Sequence, residues 1–531
     1  MSNASTTRRA RPAALLAAAA LAALASCTKV DVTNPSAIGS SNAFNDAGAY
    51  QAFLAKLYGV LALSGPGGPG SSDIQGLDAG FSQYLRLLWQ MQELPTDEAV
   101  IAWTDGSGLQ DLNTQGWTSS NGFSGTMYAR IQQQATFAAE FLRQTTDAQL
   151  AGRNAGAALR AQVQTYRAEA RFLRALSYWH AVDIFGSVPL VTEDTPIGGA
   201  PPAQTSRADL YNFLVAELAA VRGQLPAKAD STYGRATTAA ADMLLAKLYM
   251  NAGVYTGTPQ YAQALAAVQR VIGSGRYQLD ANYARMFRAD NNASPELIFV
   301  VPQDGVRTQN YGGTTFLVHA PLGNALNDSA VTSFGVNGGW YGLRAKPEFV
   351  SLFAGASADR RGATLYGNGQ SLAIANLTDF GQGYLVRKYR NVTSTGAAGS
   401  DQTFADTDYP MFRLADAYLM YAEAYLRGGG GDAATALAYV NAVRARAGAA
   451  AITASQLTLP FVLDERSREL FWEGHRRTDL VRYGAFTGGA KLWTFKGGAQ
   501  AGAATAATRD LYPLPANELS ANPNLRQNPG Y

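Results

Sequence analysis

A single cysteine in 531 residues, Cys27, rules out an internal disulfide. With only three histidines beside it, a typical zinc site would need carboxylates for its other ligands, and thiol redox cycling has no partner. Charged residues are also scarce, at 16%, which points to neutral, glycine-rich and aromatic surfaces rather than a charge-laced exterior. No GxSxG, HExxH, Walker-type or dinucleotide glycine motif occurs. Beyond the amino-terminal segment no run reaches 18 apolar residues, too little for a membrane span. No cofactor and no metal is expected.

The formal charge of +3 is local. Arg8, Arg9 and Arg11 precede Cys27 and no acidic residue does, so residues 27–531 hold 40 basic and 40 acidic side chains. A neutral chain offers no electrostatic case for nucleic acid. Hydrophobic residues, at 47%, are enough for a large core.

What is present begins at the amino terminus. The basic RRAR (8–11), then Pro12 and AALLAAAALAALAS (13–26), have the n-region, h-region and small-residue end of a secretory signal, so residues 1–26 are expected to be a signal peptide. Cys27 closes LASC (24–27). That tetrad resembles the lipobox of bacterial lipoproteins, whose cysteine is acylated. Cleavage nearby without lipid, or a free thiol, are the alternatives.

Helical periodicity dominates two stretches, about 40–280 and 405–485. AAADMLLAKLYMN and YAQALAAVQRVIG carry the small-and-large alternation of packed helical hairpins, and DYPMFRLADAYLMYAEAYLRGGG with DAATALAYVNAVRARAG repeats it. The pairing resembles tetratricopeptide hairpins without a clean 34-residue period. Between about 290 and 405 the texture changes to short strand candidates, ELIFVV and YLVRKYR, separated by long loops. Loops of that size inside a domain are usually functional. The fold class expected is mainly α, helical pairs bearing an irregular, loop-rich region with short strands.

Two groups of residues invite a chemical reading. In LDERSRELFWEGHRRTDLVRYG (463–484), Asp464, Glu465, Glu469, Glu473 and Asp479 interleave with Arg466, Arg468, Arg476, Arg477 and Arg482. Glu465 and Glu469 share a helical face and could act as a general acid/base pair of a glycoside hydrolase. Alternating charge is better explained as an ion-pair network locking packed elements. His180, three residues before Asp183, reads as a packing histidine, and His319 has no ligand pattern around it. The second group is aromatic: Trp103 and Asp105 in AWTDG, Trp117 in GWTSSNG, and Asn337, Trp340 and Tyr341 in GVNGGWYG. An exposed ring can stack on the C–H face of a neutral sugar while amides and carboxylates take its hydroxyls. Each could equally be a loop anchor turned inward.

Long blocks in order complete the picture: LPTDEAV (94–100), AEARFLRALSYWHAVDIFGSVPLVTE (168–193), GRATTAAADMLLAKLYMNAG (234–253), KPEFVSLF (346–353), LDERSRELFWEGHRRTDLVRYG (463–484) and LYPLPANELSANPNLRQNPGY (511–531). On these the chain resembles the SusD/RagB family of outer-membrane lipoproteins. The resemblance implies a single domain over 27–531 with four tetratricopeptide-like pairs, no catalytic residues and no obligatory cofactor. It implies a cell-surface protein, lipid-anchored through Cys27, that passes an oligosaccharide or other nutrient to a SusC-like TonB-dependent transporter. A protein-interaction scaffold that binds no small ligand is the competing reading.

Overall fold

The computed structural model describes residue 44 and residues 46–323, 333–367 and 369–531. The expected signal segment and Cys27 lie outside the described residues. Residues Asp46–Tyr531 form one contact unit.

The scaffold helices are α1 (Ala47–Ala62), α2 (Tyr84–Glu93), α3 (Gly122–Gln144), α4 (Ala157–Ile184), α5 (Arg207–Val221), α6 (Thr238–Met250), α7 (Tyr261–Gly273), α8 (Gly313–His319), α9 (Leu414–Leu426), α10 (Ala433–Ala447), α11 (Leu459–Leu470) and α12 (Arg476–Arg482). Many begin where a short polar side chain takes an orphan amide: Asp46, Asn121, Ser206, Thr237, Asp432 and Thr458 each accept from a first-turn N–H. Helix α3 packs on α4, α4 on α5, α6 on α7, and α9 on α10. Alanines such as Ala135, Ala138, Ala170 and Ala175, all buried, let the axes approach closely. Helix α7 also packs against α9, although 140 residues separate them. The intervening chain is therefore an excursion from a continuous helical stack, as the change of texture after residue 290 suggests.

Short antiparallel strand pairs lie within that excursion and elsewhere in the chain. They are β1 (Ala99–Ile101) with β5 (Leu343–Ala345), β2 (Val188–Pro189) with β3 (Gln204–Thr205), β4 (Leu297–Val301) with β8 (Tyr409–Arg413), and β6 (Leu365–Tyr366) with β7 (Leu385–Val386). Three sequence expectations need correction. The helix expected from DYPMFR starts only at Leu414, because Tyr409–Arg413 pairs with β4 instead. YLVRKYR is a strand only at Leu385–Val386. The charged stretch 463–484 is two helices, broken where Trp472 and Gly474 take φ of 62° and 76°. Among the described residues no helix is long and apolar enough to cross a membrane.

Candidate functional site

Strand register builds the site. Pairing of β1 with β5 sets Ile101 opposite Leu343, and the ladder continues with the Ala102 amide donating to the Gly342 carbonyl at 2.9 Å. Trp103 thereby arrives beside Trp340, to whose carbonyl its indole N–H donates at 2.8 Å. The turn carrying Trp340 lies against the end of α8: the Trp340 amide donates to His319 O at 3.0 Å and that of Gly342 to Ala320 O at 2.8 Å. Gly342 allows this close approach, since a Cβ would stand 2.6 Å from the Trp103 ring.

The rings form an arc. Trp340 lies 6.3 Å from Tyr311 at 55° and 6.4 Å from Trp103 at 44°, so it is inclined to both of its neighbours. Behind Trp340, the His319 imidazole stacks at 4.7 Å and 15°. That imidazole is fixed by the carbonyls of Gly338 and Thr403, at 2.7 Å and 3.0 Å. Burial lowers its pKa, against the pull of those two carbonyls. Tyr311 is 38% exposed and Tyr341, with φ of 52°, is 43% exposed. Beneath the arc the buried Arg86 guanidinium lies over Phe81, Phe316 and Trp103 at 4.0, 4.4 and 5.4 Å and donates to the Tyr311 carbonyl at 2.9 Å. Burial pulls its pKa down to about 9, with Asp78 and Asp105 opposing, so it remains a cation at neutral pH.

Polar groups flank the rings. Asp105 accepts the amides of Ser107 and Leu109 and lines a cavity of about 590 Å³ with Thr104, Ser107, Asp111, Thr118 and Ser120. Exposed Asn337 donates to Thr403 Oγ1 at 2.8 Å. Tyr311 is the arc residue that sequence reasoning missed, although GVRTQNYGG offers the same signal, a ring in a glycine-flanked polar loop. Trp117 needs correction. It is 0% exposed, stacked on Tyr512 at 4.1 Å and bonded to the Tyr531 hydroxyl at 2.6 Å, so it offers a ligand no face.

The charged stretch is a buried lattice. Glu469 accepts from Arg361 and Arg413 at 3.0 and 2.6 Å and from Arg446. Burial alone would raise its pKa, but Arg446, Arg413 and Arg361 hold it down at about 2. Glu465 is shared by Arg361, Arg444 and Arg468 at 2.7–2.8 Å, and its pKa is likewise lowered against burial. Both carboxylates are 0% exposed and fully engaged with guanidinium groups, which removes an acid/base pair open to substrate. Glu473 pairs with Arg413 and Lys388, Arg466 with Asp416 and Asp479, Arg476 with Asp97, and Arg477 with Asp183. Asp464 is the exception, half-buried and in no ion pair among the described residues. Many of the partners, among them Glu296, Arg361, Arg413 and Asp97, come from elsewhere in the chain. The histidines also stay inert: burial takes His180 and His475 down to about 3, and the His180 Nδ1 bonds with Tyr84 at 2.8 Å. Among the described residues no cluster of His, Cys, Asp or Glu could hold a metal ion.

A sequence profile described as the SusD family matches residues 328–531. The starch-binding protein SusD of Bacteroides thetaiotaomicron is 34% identical, covering 91% of this chain and 92% of its own length. The fold is similar to that of surface glycan-binding protein A from Bacteroides uniformis, with a TM-score of 0.71, 22% identity, and 91% and 99% of the two chains covered. It is also similar to a laminarin-binding SusD-like protein, with a TM-score of 0.68, 24% identity, and 91% and 99% covered.

Proposed function

Because the chain belongs to the SusD family, whose members are outer-membrane-associated, generally non-catalytic binding proteins that work with a SusC-like transporter, we propose that its aromatic arc binds a curved neutral glucan. The observation that carries the reading is the inclination of the rings: Tyr311 and Trp103 flank Trp340 at about equal spacing with planes inclined to it by 55° and 44°. A flat ribbon-like glycan would meet one ring at a time, whereas a helically coiled glucan presents successive C–H faces to all three. The polar cavity beside Trp103 then takes hydroxyls. The name of the starch-binding relative supports an α-1,4-glucan as the ligand. Cys27 is proposed as the acylated residue that holds this surface outside the cell, ready to hand the glycan to the transporter.

Titration calorimetry with maltoheptaose tests the ligand: saturable binding, weakened at least tenfold in Trp340→Ala, is expected, with cellohexaose inert. Equal binding by the variant removes the arc from the reading. Palmitate labelling tests the anchor, and incorporation should be lost in Cys27→Ser.

A further inference from the structure

A second aromatic ridge lies away from the arc, around Tyr233. Two cavities of about 460 and 490 Å³ adjoin there, and both are lined by Tyr233 and Asn292. Tyr233 is 37% exposed, yet its hydroxyl is tied to the carboxylate of Asp408, which is itself buried and accepts the Gln303 amide at 2.7 Å. A ring clamped at its tip stands as a ready-made platform, because little rotamer freedom is left to lose on binding. Among the described residues no other ring or cation stacks on it.

One polar group beside the ring is unspent. The exposed carboxamide of Asn292 has no hydrogen bond to the described residues, and can both donate and accept. The ring of Tyr277, a residue only 6% exposed, lines the first cavity, with its hydroxyl buried beside Thr237. Thr237, nearby, only tempers the rise that burial gives its pKa. Lys228, 4.3 Å above the Tyr277 ring, donates to the Pro295 carbonyl at 3.3 Å. Charge selects the ligand class. Asp230, Asp304, Asp406 and Asp408 line the two cavities against Lys228 and Arg307, which disfavours anionic sugars, phosphate and nucleic acid.

We propose that the Tyr233 ridge is a second binding site for neutral oligosaccharide, with Tyr233 as stacking platform and Asn292 as hydroxyl partner. It has its own residues and shares only the ligand class with the arc. The two sites are joined through the chain: Gln303–Arg307 wall the ridge while Tyr311 belongs to the arc, and Phe404, between Ser400 and Asp406 of the ridge, packs 5.2 Å from Tyr311. Two sites on one chain raise the effective concentration of a long glycan at the second once the first is filled.

Calorimetric titration of maltoheptaose into the full chain and its variants tests this. Wild type should show two binding events. Trp340→Ala should keep the ridge event, and Tyr233→Ala and Asn292→Ala should each weaken that event at least tenfold. Tyr233→Phe, which keeps the ring and loses the tether, should bind within about threefold of wild type, separating stacking from a folding defect that thermal melts would reveal. A single event in wild type, abolished by Trp340→Ala and unchanged by Tyr233→Ala and Asn292→Ala, overturns the ridge and leaves the arc standing. A titration unchanged by Trp340→Ala but lost in Tyr233→Ala overturns the arc and leaves the ridge. Wild type that binds none of maltoheptaose, laminarihexaose and mannohexaose overturns both.

Discussion

Trp340 owes its orientation to close neighbours: His319 behind it, Trp103 and Tyr311 on either side, and a backbone bonded to the end of α8. Such a residue has little freedom to lose on binding, which is what marks a binding hot spot. Gly342→Ala is the sharper test of the arrangement, because its methyl would drive into the Trp103 ring. Overpacking of this kind costs about 1–3 kcal/mol. Urea denaturation should show that loss, and maltoheptaose affinity should fall although no arc side chain has been removed. Trp117→Phe is the counterpart: it should lower stability, by loss of the bond to Tyr531, and leave affinity unchanged. Sequence texture alone could not separate these tryptophans. Trp103 and Trp117 both sit in short polar loops, and what turns Trp117 inward is Tyr512 and Tyr531, about 400 residues away. Tyr311, by contrast, is legible as a ring in a glycine-flanked loop, and lacks only the tryptophan that marks the other arc segments.

At the scale of elements, amphipathic helices were the readable part. YAQALAAVQRVIG is helix α7 to the residue, because its apolar face meets neighbours and its other face meets water. Helix α2 escaped although Arg86, Gln90 and Glu93 recur at helical spacing: it is only ten residues long and follows a long loop rich in glycine and serine. The break between α11 and α12 escaped for another reason. Charge alternates evenly across it, yet Gly474 takes a left-handed conformation and its amide donates to Glu93 Oε1 at 2.7 Å. A Cβ there would strain the turn and meet the Tyr409 hydroxyl at 3.0 Å. Gly474→Ala should therefore cost about 1–2 kcal/mol in chemical denaturation, while the exposed-loop substitution Gly428→Asn should cost far less.

Across the whole molecule, the buried ion pairs tie α9, α11 and α12 to β8, to Glu296 just before β4, and to the segment after α2. Their pH dependence has two opposing parts. Glu469, held down at about 2, and Asp97, Asp416 and Asp479, also lowered against burial, contribute stability that is present above the ordinary carboxylate range near 4 and lost as pH falls toward their folded values. Glu98 runs the other way. Burial, only partly offset by Arg476, pushes it up to about 7, so its contribution is complete below pH 4.5 and is lost as pH rises toward 7. Thermal melts should show stability falling steeply below pH 4. Between pH 5 and 7, Glu98→Gln should show a smaller decline with rising pH than wild type. A wild-type melting profile that is flat from pH 3 to 5 would contradict the network.

The pairing of β1 with β5 has a temporal consequence. Trp103 and Trp340 are 237 residues apart in the chain and meet only through that ladder. During synthesis the earlier tryptophan therefore waits, without that partner, until well over half of the polypeptide has been made. A chain cut short before residue 340 would carry Trp103 and Tyr311 yet have no arc. Glycan capture at the proposed arc thus doubles as a check of completeness, open to molecules whose distant halves have closed on each other.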